Sequence, residues 1–270
     1  LPTGAGKSIA FQLAAFLLPG AAIVVDPILS LIRDQIDVLL TYGIDRAIGI
    51  TSDLSTRGAK QSAYEQVLGG DNIFHYIAPE RFQIEEFRRA LRAMKMTVPV
   101  GLIAVDEAHC VSEWGHDFRT AYLRLADNAR ECCGDGQWTP PLLALTGTAS
   151  RAVLKDLQRE LKILDFEAVI TPRTFDRTEL DYIAVKCSSE EKPEMLKALL
   201  GRHLPTKFRV PPESLGNLDG DDTLCGLVFC PWAGGEFGVL QVAEEVQRIG
   251  LPVEPYSGKK PKGMPGTERD

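Results

Sequence analysis

The sequence has few of the features that mark secreted, zinc-stapled or membrane proteins. Its six cysteines contain no Cys-x-x-Cys pair and show no metal-ligand spacing with the four histidines. This excludes a recognisable zinc module and favours reduced thiols in a cytosol-like compartment. The most apolar stretch, residues 9–25, is interrupted by Gln12 and by Pro19-Gly20, so no run reaches membrane-spanning length.

Basic residues are fewer than acidic ones: the sequence has 30 Lys and Arg and 37 Asp and Glu, which gives a formal net charge of -7. Nucleic-acid-binding proteins usually carry a basic excess. The deficit does not exclude such a function, since a groove can be locally basic and backbone amides carry part of the phosphate contact. With 270 residues, 44% of them hydrophobic, the chain is long enough for one large globular domain or two.

The first eight residues, LPTGAGKS, are followed by a helical pattern of apolar residues. Glycines let the backbone wrap a phosphate, Lys7 can reach the outer phosphates, and the Ser8 hydroxyl can bind magnesium. The strict form of this pattern has a glycine where this chain has Leu1. The stretch predicts a phosphate-binding loop for ATP and Mg²⁺, with Thr3, Gly4, Ala5, Gly6, Lys7 and Ser8 as the cofactor-binding residues.

A second motif follows the unbroken apolar run at residues 101–105, where Asp106 and Glu107 come directly after a strand that reads as buried on both faces. Open α/β sheets bind ligands at that end of their strands. Alone, the acids could be a solvated strand end or a helix cap. Together with the phosphate loop they predict that Ser8 and Asp106 hold the metal, while Glu107 polarises the attacking water.

Several segments resemble known helicase motifs. The stretches at residues 1–8, 106–109 (DEAH) and 146–149 (TGTA) resemble motifs I, II and III of superfamily 2 helicases. WGHDFR at 114–119 resembles the aromatic-rich loop of RecQ-type DNA helicases and is the most specific signal in the chain. Residues 25–35 and 76–82 resemble motifs Ia and Ib, so the likeness covers residues 1–187 well and the remainder weakly.

The resemblance implies an ATP-dependent DNA helicase that couples hydrolysis to translocation on single-stranded DNA and duplex unwinding. It implies single-stranded or forked DNA as partner, a role in DNA repair, recombination or defence, and no membrane partner. The implied catalytic residues are Lys7, Asp106, Glu107 and His109. The implied residues for nucleic-acid binding or coupling are Arg33, Gln35, Arg81, Trp114, His116, Phe118, Arg119, Thr146 and Thr148.

Other interpretations stay open at this stage. Trp114 and Phe118 could be core residues instead of stacking platforms for bases. Arg33 and Gln35 could belong to an ordinary strand-to-helix turn, and the threonines after residue 145 to a helix cap. At the level of function, the alternatives are a superfamily 2 RNA helicase or duplex translocase, or a non-catalytic nucleotide-binding module in a repair or defence complex.

Strands alternating with helices predict an α/β fold. The resemblance makes residues 1–172 a P-loop RecA-like domain with a mainly parallel sheet that lacks its N-terminal strand, and residues 173–270 a truncated second RecA-like domain. In the second part we expect strands at 180–186 and 224–229, helices at 192–200 and 239–249, and a flexible insertion at 205–222. The basic segment 87–95 predicts a helix docked by its apolar residues.

The chain opens inside the phosphate loop without a methionine, and the family's later motifs, including its arginine finger, would follow Asp270. We therefore expect a fragment that binds nucleotide but hydrolyses it poorly and unwinds nothing by itself. The expected compartment is cytoplasmic, at the nucleoid in a bacterium or in the nucleus of a eukaryote.

Overall fold

A computed structural model describes residues 6–51, 57–113, 121–147, 150–171, 180–211, 214–215 and 224–257. The chain divides into two compact units, Leu1–Arg177 and Thr178–Asp270. Each unit is described by itself.

The first unit contains a five-stranded parallel sheet with the order β2-β3-β1-β4-β5. The predicted α/β fold with a mainly parallel, RecA-like sheet is therefore confirmed for this unit. The crossovers between parallel strands run through helices, as they must in such a sheet. The strands are β1 (Ala21–Val25), β2 (Ala47–Ile50), β3 (Phe74–Ile77), β4 (Val100–Val105) and β5 (Leu142–Ala144).

The central strands β1 and β4 are buried at every position, which explains why their sequences are unbroken apolar runs. Their register pairs Val25 with Val105, so the residues that follow, Asp26 and Asp106, leave the sheet side by side. The Asp106 amide donates to the Val25 carbonyl at 2.9 Å, and the Asp26 amide donates to the Ile77 carbonyl at 3.0 Å. The strands thus present their carboxyl ends at one edge.

Helices cover both faces of this sheet. Odd-numbered residues of β1 such as Ile23 pack in one apolar cluster with Phe87 and Leu91, and even-numbered ones such as Val24 pack in another with Phe11. The helices are α1 (Lys7–Leu17), α2 (Leu29–Thr41), α3 (Arg57–Gly69), α4 (Glu85–Met94), α5 (Cys110–Glu113), α6 (Leu125–Cys133) and α7 (Arg151–Glu160).

Helix α4 has the structural role predicted for the basic segment at 87–95. Phe87, Leu91 and Met94 are buried. On its outer side Arg88 and Arg92 both bind Glu131, with N–O distances of 2.9 and 2.7 Å. These arginines are therefore engaged in ion pairs at the surface of the first unit.

The second unit contains α8 (Lys192–Ala198), a π-helical turn at Leu199–His203, α9 (Leu204–Phe208) and α10 (Val239–Arg248). The strands predicted at 180–186 and 224–229 are wrong, because neither segment pairs with a neighbour in the described part of this unit. An apolar run becomes a strand only when a partner satisfies its backbone, and here Tyr182 and Phe229 are 86% and 91% exposed. Residues 205–208, predicted to open a flexible insertion, are helical.

Two further predictions from composition can be compared with the structure. In the described ranges, none of the helices combines the length and apolar character that crossing a lipid bilayer requires. All six cysteines carry free thiols.

Candidate nucleotide-binding site

The polar groups of the first unit converge where its parallel strands end. Asp26 follows β1, Asp106 and Glu107 follow β4, and Thr146 comes two residues after β5. Lys7, the first residue of α1, reaches the same edge. The sheet edge that the sequence predicted to bind a ligand therefore carries charged side chains from three segments and a threonine from a fourth.

Lys7 and Glu107 form a contact that joins the start of α1 to the end of β4. The Lys7 Nζ donates to the Glu107 Oε1 at 2.8 Å, and the two side chains are 10% and 25% exposed. Gly6, which precedes the helix, has φ of 78°, a left-handed conformation that glycine adopts without strain. This backbone turn delivers Lys7 to the first turn of α1, so two residues separated by 100 positions meet.

Asp106 is held by two hydrogen bonds. Its Oδ1 accepts from the Glu107 amide at 2.9 Å, and its Oδ2 accepts from the Gln35 Nε2 at 3.3 Å. Burial raises the pKa of the Asp106 carboxyl, while the Glu107 amide and the charge of Lys7 act against this rise. Glu107 itself has φ of 42°, which is uncommon outside glycine and marks a sharp turn immediately after the strand.

Asp26 is a site residue that our sequence analysis missed. It is fully buried, its Oδ1 accepts from the Ile28 amide at 2.9 Å, and its Oδ2 accepts from the Gln35 Nε2 at 3.2 Å. Burial raises the pKa of Asp26 to about 7, and the negative charges of Asp106 and Glu107 contribute. The signal was present, because Asp26 follows a buried strand just as Asp106 does, but residues 25–35 were interpreted only as a segment that resembles motif Ia or as a strand-to-helix turn.

His109 connects the acid pair to the end of β5. Its Nδ1 lies 3.0 Å from the Thr146 Oγ1 and 3.2 Å from the Glu107 Oε2. The Ala108 amide donates to the Leu145 carbonyl at 2.8 Å, which holds the turn after β4 against β5. A displacement of Glu107 would therefore move the His109 imidazole and change its contact with the Thr146 hydroxyl.

The remaining predicted residues are distributed differently. Ser8 lies in the first turn of α1, and Arg33 is exposed on α2. Arg81, expected to contact phosphate, is 5% exposed, and its guanidinium donates to the Thr51 carbonyl. The following predicted residues lie outside the described ranges: Thr3, Gly4, Ala5, Trp114, His116, Phe118, Arg119 and Thr148.

The chemistry of the site suits a magnesium ion bound together with a nucleotide. Among the described residues, no group of three or more His, Cys, Asp and Glu side chains forms a ready metal cage. Magnesium does not require one, because it usually binds one or two carboxylates together with substrate phosphates and waters. Asp106 and Ser8 supply hard oxygen donors, and burial raises the pKa values of Asp26 and Asp106, so a bound cation would favour the ionised form of both acids.

The site can be compared with known proteins. Residues 1–157 match the family described as DEAD/DEAH box helicase. The chain is 36% identical over 195 residues to the ATP-dependent DNA helicase RecQ of Bacillus subtilis (strain 168), covering 71% of this chain and 30% of that protein. It is 33% identical over 256 residues to the RecQ helicase of Pasteurella multocida (strain Pm70), covering 95% and 35%. It is also 36% identical over 200 residues to the putative ATP-dependent DNA helicase Q1 of Caenorhabditis elegans, covering 71% and 29%.

Proposed function

Because the chain belongs to the DEAD/DEAH box helicase family, we propose that it is the ATP-binding part of a RecQ-type DNA helicase. The predicted similarity to RecQ helicases is confirmed by relatives of that name at 33% and 36% identity. The chain spans about a third of the length of these relatives. ATP hydrolysis coupled to movement along DNA and to unwinding is therefore proposed for the whole protein.

The observation that carries this proposal is the 2.8 Å contact between Lys7 and Glu107. It brings a lysine that follows a glycine-rich segment next to an acid at the end of a parallel strand. Phosphoryl transfer uses a lysine that holds the phosphates and a group that orients the attacking water. A terminal phosphate carries more negative charge than one carboxylate and attracts the same ammonium group. When ATP binds, Lys7 exchanges Glu107 for the phosphate, and the carboxylate becomes available to a water molecule.

Each residue then has one task. Lys7 and the loop amides hold the phosphates, Glu107 orients the attacking water and accepts its proton, and His109 fixes the direction of Glu107. Asp106 and Ser8 would hold Mg²⁺, which when bound neutralises charge on the phosphate oxygens.

The nucleic-acid side of the proposal concerns single-stranded or forked DNA. The names of the relatives favour DNA over RNA, and the exposed Arg33 on α2 offers positive charge to a phosphate backbone. Stacking of unpaired bases on the rings of Trp114 and Phe118 stays a prediction. We propose that the whole protein acts in DNA repair or recombination, at the nucleoid of a bacterium or in the nucleus of a eukaryote.

A turnover assay tests the proposal. ATP hydrolysis by the whole protein is measured alone and with single-stranded DNA, forked duplex or single-stranded RNA at one salt concentration, because phosphate contacts depend on salt. We expect single-stranded or forked DNA to stimulate turnover most. Equal or greater stimulation by RNA would favour an RNA helicase, and absence of ATP hydrolysis under every condition would favour a non-catalytic nucleotide-binding module; either result contradicts the proposal.

A further inference from the structure

We propose that Gln35 is a positioning residue of the nucleotide site, where its carboxamide holds the Asp106 carboxylate in the orientation that binds magnesium. The inference rests on the proposed function. It moves Gln35 from the residues predicted to contact nucleic acid to the centre of the charged cluster at the sheet edge.

The geometry shows one amide group shared by two acids. The Gln35 Nε2 lies 3.2 Å from the Asp26 Oδ2 and 3.3 Å from the Asp106 Oδ2. A primary amide nitrogen has two hydrogens, so it can donate one to each carboxylate. The other oxygen of each acid already accepts from a backbone amide, that of Ile28 for Asp26 and that of Glu107 for Asp106.

Burial makes this shared donor important. Asp26 and Asp106 are 0% and 5% exposed, so water is largely excluded from replacing a lost hydrogen bond. The Gln35 Oε1 is also buried, and no group in the described part of the chain donates to it. The side chain is therefore oriented through its nitrogen alone, by the two carboxylates that it bridges.

Removal of the bridge would free the Asp106 Oδ2 while the Oδ1 stays on the backbone. The carboxylate could then rotate about its remaining hydrogen bond, and a metal ligand that rotates binds less tightly.

Because Gln35 belongs to α2, the bridge also attaches that helix to Asp106. The exposed Arg33 lies two residues earlier on the same helix, so a nucleic-acid contact on α2 has a direct route to the metal ligand.

The test compares Gln35→Met, which keeps the length of the side chain but has no donor, with the unaltered chain. Binding of a fluorescent ADP analogue is titrated with MgCl₂ and, separately, in EDTA. Loss of an outer-shell partner costs roughly 10- to 100-fold in metal affinity, so we expect the magnesium concentration for half-saturation to rise by about that factor. Binding in EDTA, which depends on Lys7 and the loop amides, should not change.

Gln61→Met is the matched control, because Gln61 is also a helical glutamine that donates to an acid, Glu65, at 3.0 Å, but it is exposed and outside the site. It should leave both titrations unchanged. Gln35→Leu is the second variant, since it is of similar size, carries no charge and cannot donate a hydrogen bond. Thermal unfolding identifies which variants are folded.

The outcomes separate the two proposals. If the unaltered chain binds no nucleotide, the proposed function fails. If it binds nucleotide but a folded Gln35 variant shows the same magnesium dependence, Gln35 has no positioning role and the inference is overturned. In an Asp106→Asn background, Gln35→Met should cause no further change, because the carboxylate that it orients is already gone.

Discussion

Replacement of Asp26 by asparagine tests whether burial raises the pKa of the Asp26 carboxyl when no nucleotide is bound. Asp26 is fully buried, and burial raises the pKa of its carboxyl from 3.8 to about 7. In the folded protein Asp26 therefore keeps its proton up to about pH 7, whereas in the unfolded chain it loses the proton near pH 4. Asparagine has nearly the same shape and stays neutral at every pH.

The sign and size of the effect follow from the pKa values. Because the folded-state pKa is higher than the unfolded one, the stabilisation is complete below about pH 4 and is lost as the pH rises to about 7. Each pKa unit corresponds to about 1.4 kcal/mol, so the rise of roughly three units amounts to about 4 kcal/mol. Between pH 5 and pH 8, Asp26→Asn should gain about 2–3 kcal/mol relative to the unaltered chain.

The assay is denaturant unfolding of both proteins at pH 5 and pH 8 without nucleotide or magnesium. The difference between the proteins is the quantity to compare, because other groups such as His75 titrate equally in both and cancel. If the difference in unfolding free energy is the same at the two pH values, Asp26 is already ionised at pH 5 and our account of the buried acids is wrong.

Three further predictions follow from single contacts. Glu107→Gln should lower ATP turnover by about 100-fold or more with nucleotide binding retained, because the amide cannot accept the proton of the water; normal turnover would remove that role from Glu107. Burial lowers the pKa of His75 to about 4, so the stability that its neutral ring provides above pH 6.5 is lost as the pH falls. His75→Leu should therefore gain about 2 kcal/mol at pH 5 relative to pH 8 in denaturant unfolding, and a pH-independent effect would contradict this. Gly20→Ala should destabilise the protein by more than about 2 kcal/mol, because Gly20 has φ of 90° and the new Cβ would lie 1.9 Å from the Pro99 carbonyl oxygen. Gly43→Ala is the control, because Gly43 has a similar φ of 75° but open space around it, and it should cost only about 1 kcal/mol.

The central strands β1 and β4 of the first unit were accessible from the sequence because their burial is complete. Runs such as residues 21–25 and 100–105 are short and apolar without alternation, which is typical of a strand covered on both faces. The same reasoning failed at 180–186 and 224–229. Whether an apolar run becomes a strand depends on a partner strand, which periodicity along the chain does not report.

Site residues could be predicted where polar side chains directly follow a buried strand or belong to a motif. The contacts of a residue from the interior of a helix could not be predicted. Lys7, Asp106 and Glu107 follow from the motifs, and Asp26 could have been found by the rule that selected Asp106. Gln35 was predicted from the resemblance as a residue for nucleic-acid binding or coupling, but its contact with two carboxylates was not, because only the packing of α2 turns its amide between them.

The most direct test of the central claim is calorimetric titration of the chain with ATP and magnesium, compared with Lys7→Ala. A hydrogen bond from a charged donor is worth about 1.5–3 kcal/mol, so removal of the Lys7 ammonium should weaken binding about 10- to 100-fold. Lys155→Ala, which removes an exposed lysine of α7, is the matched control and should bind ATP as the unaltered chain does. Equal affinity of Lys7→Ala and the unaltered chain for ATP would show that phosphate is not held at this edge of the sheet.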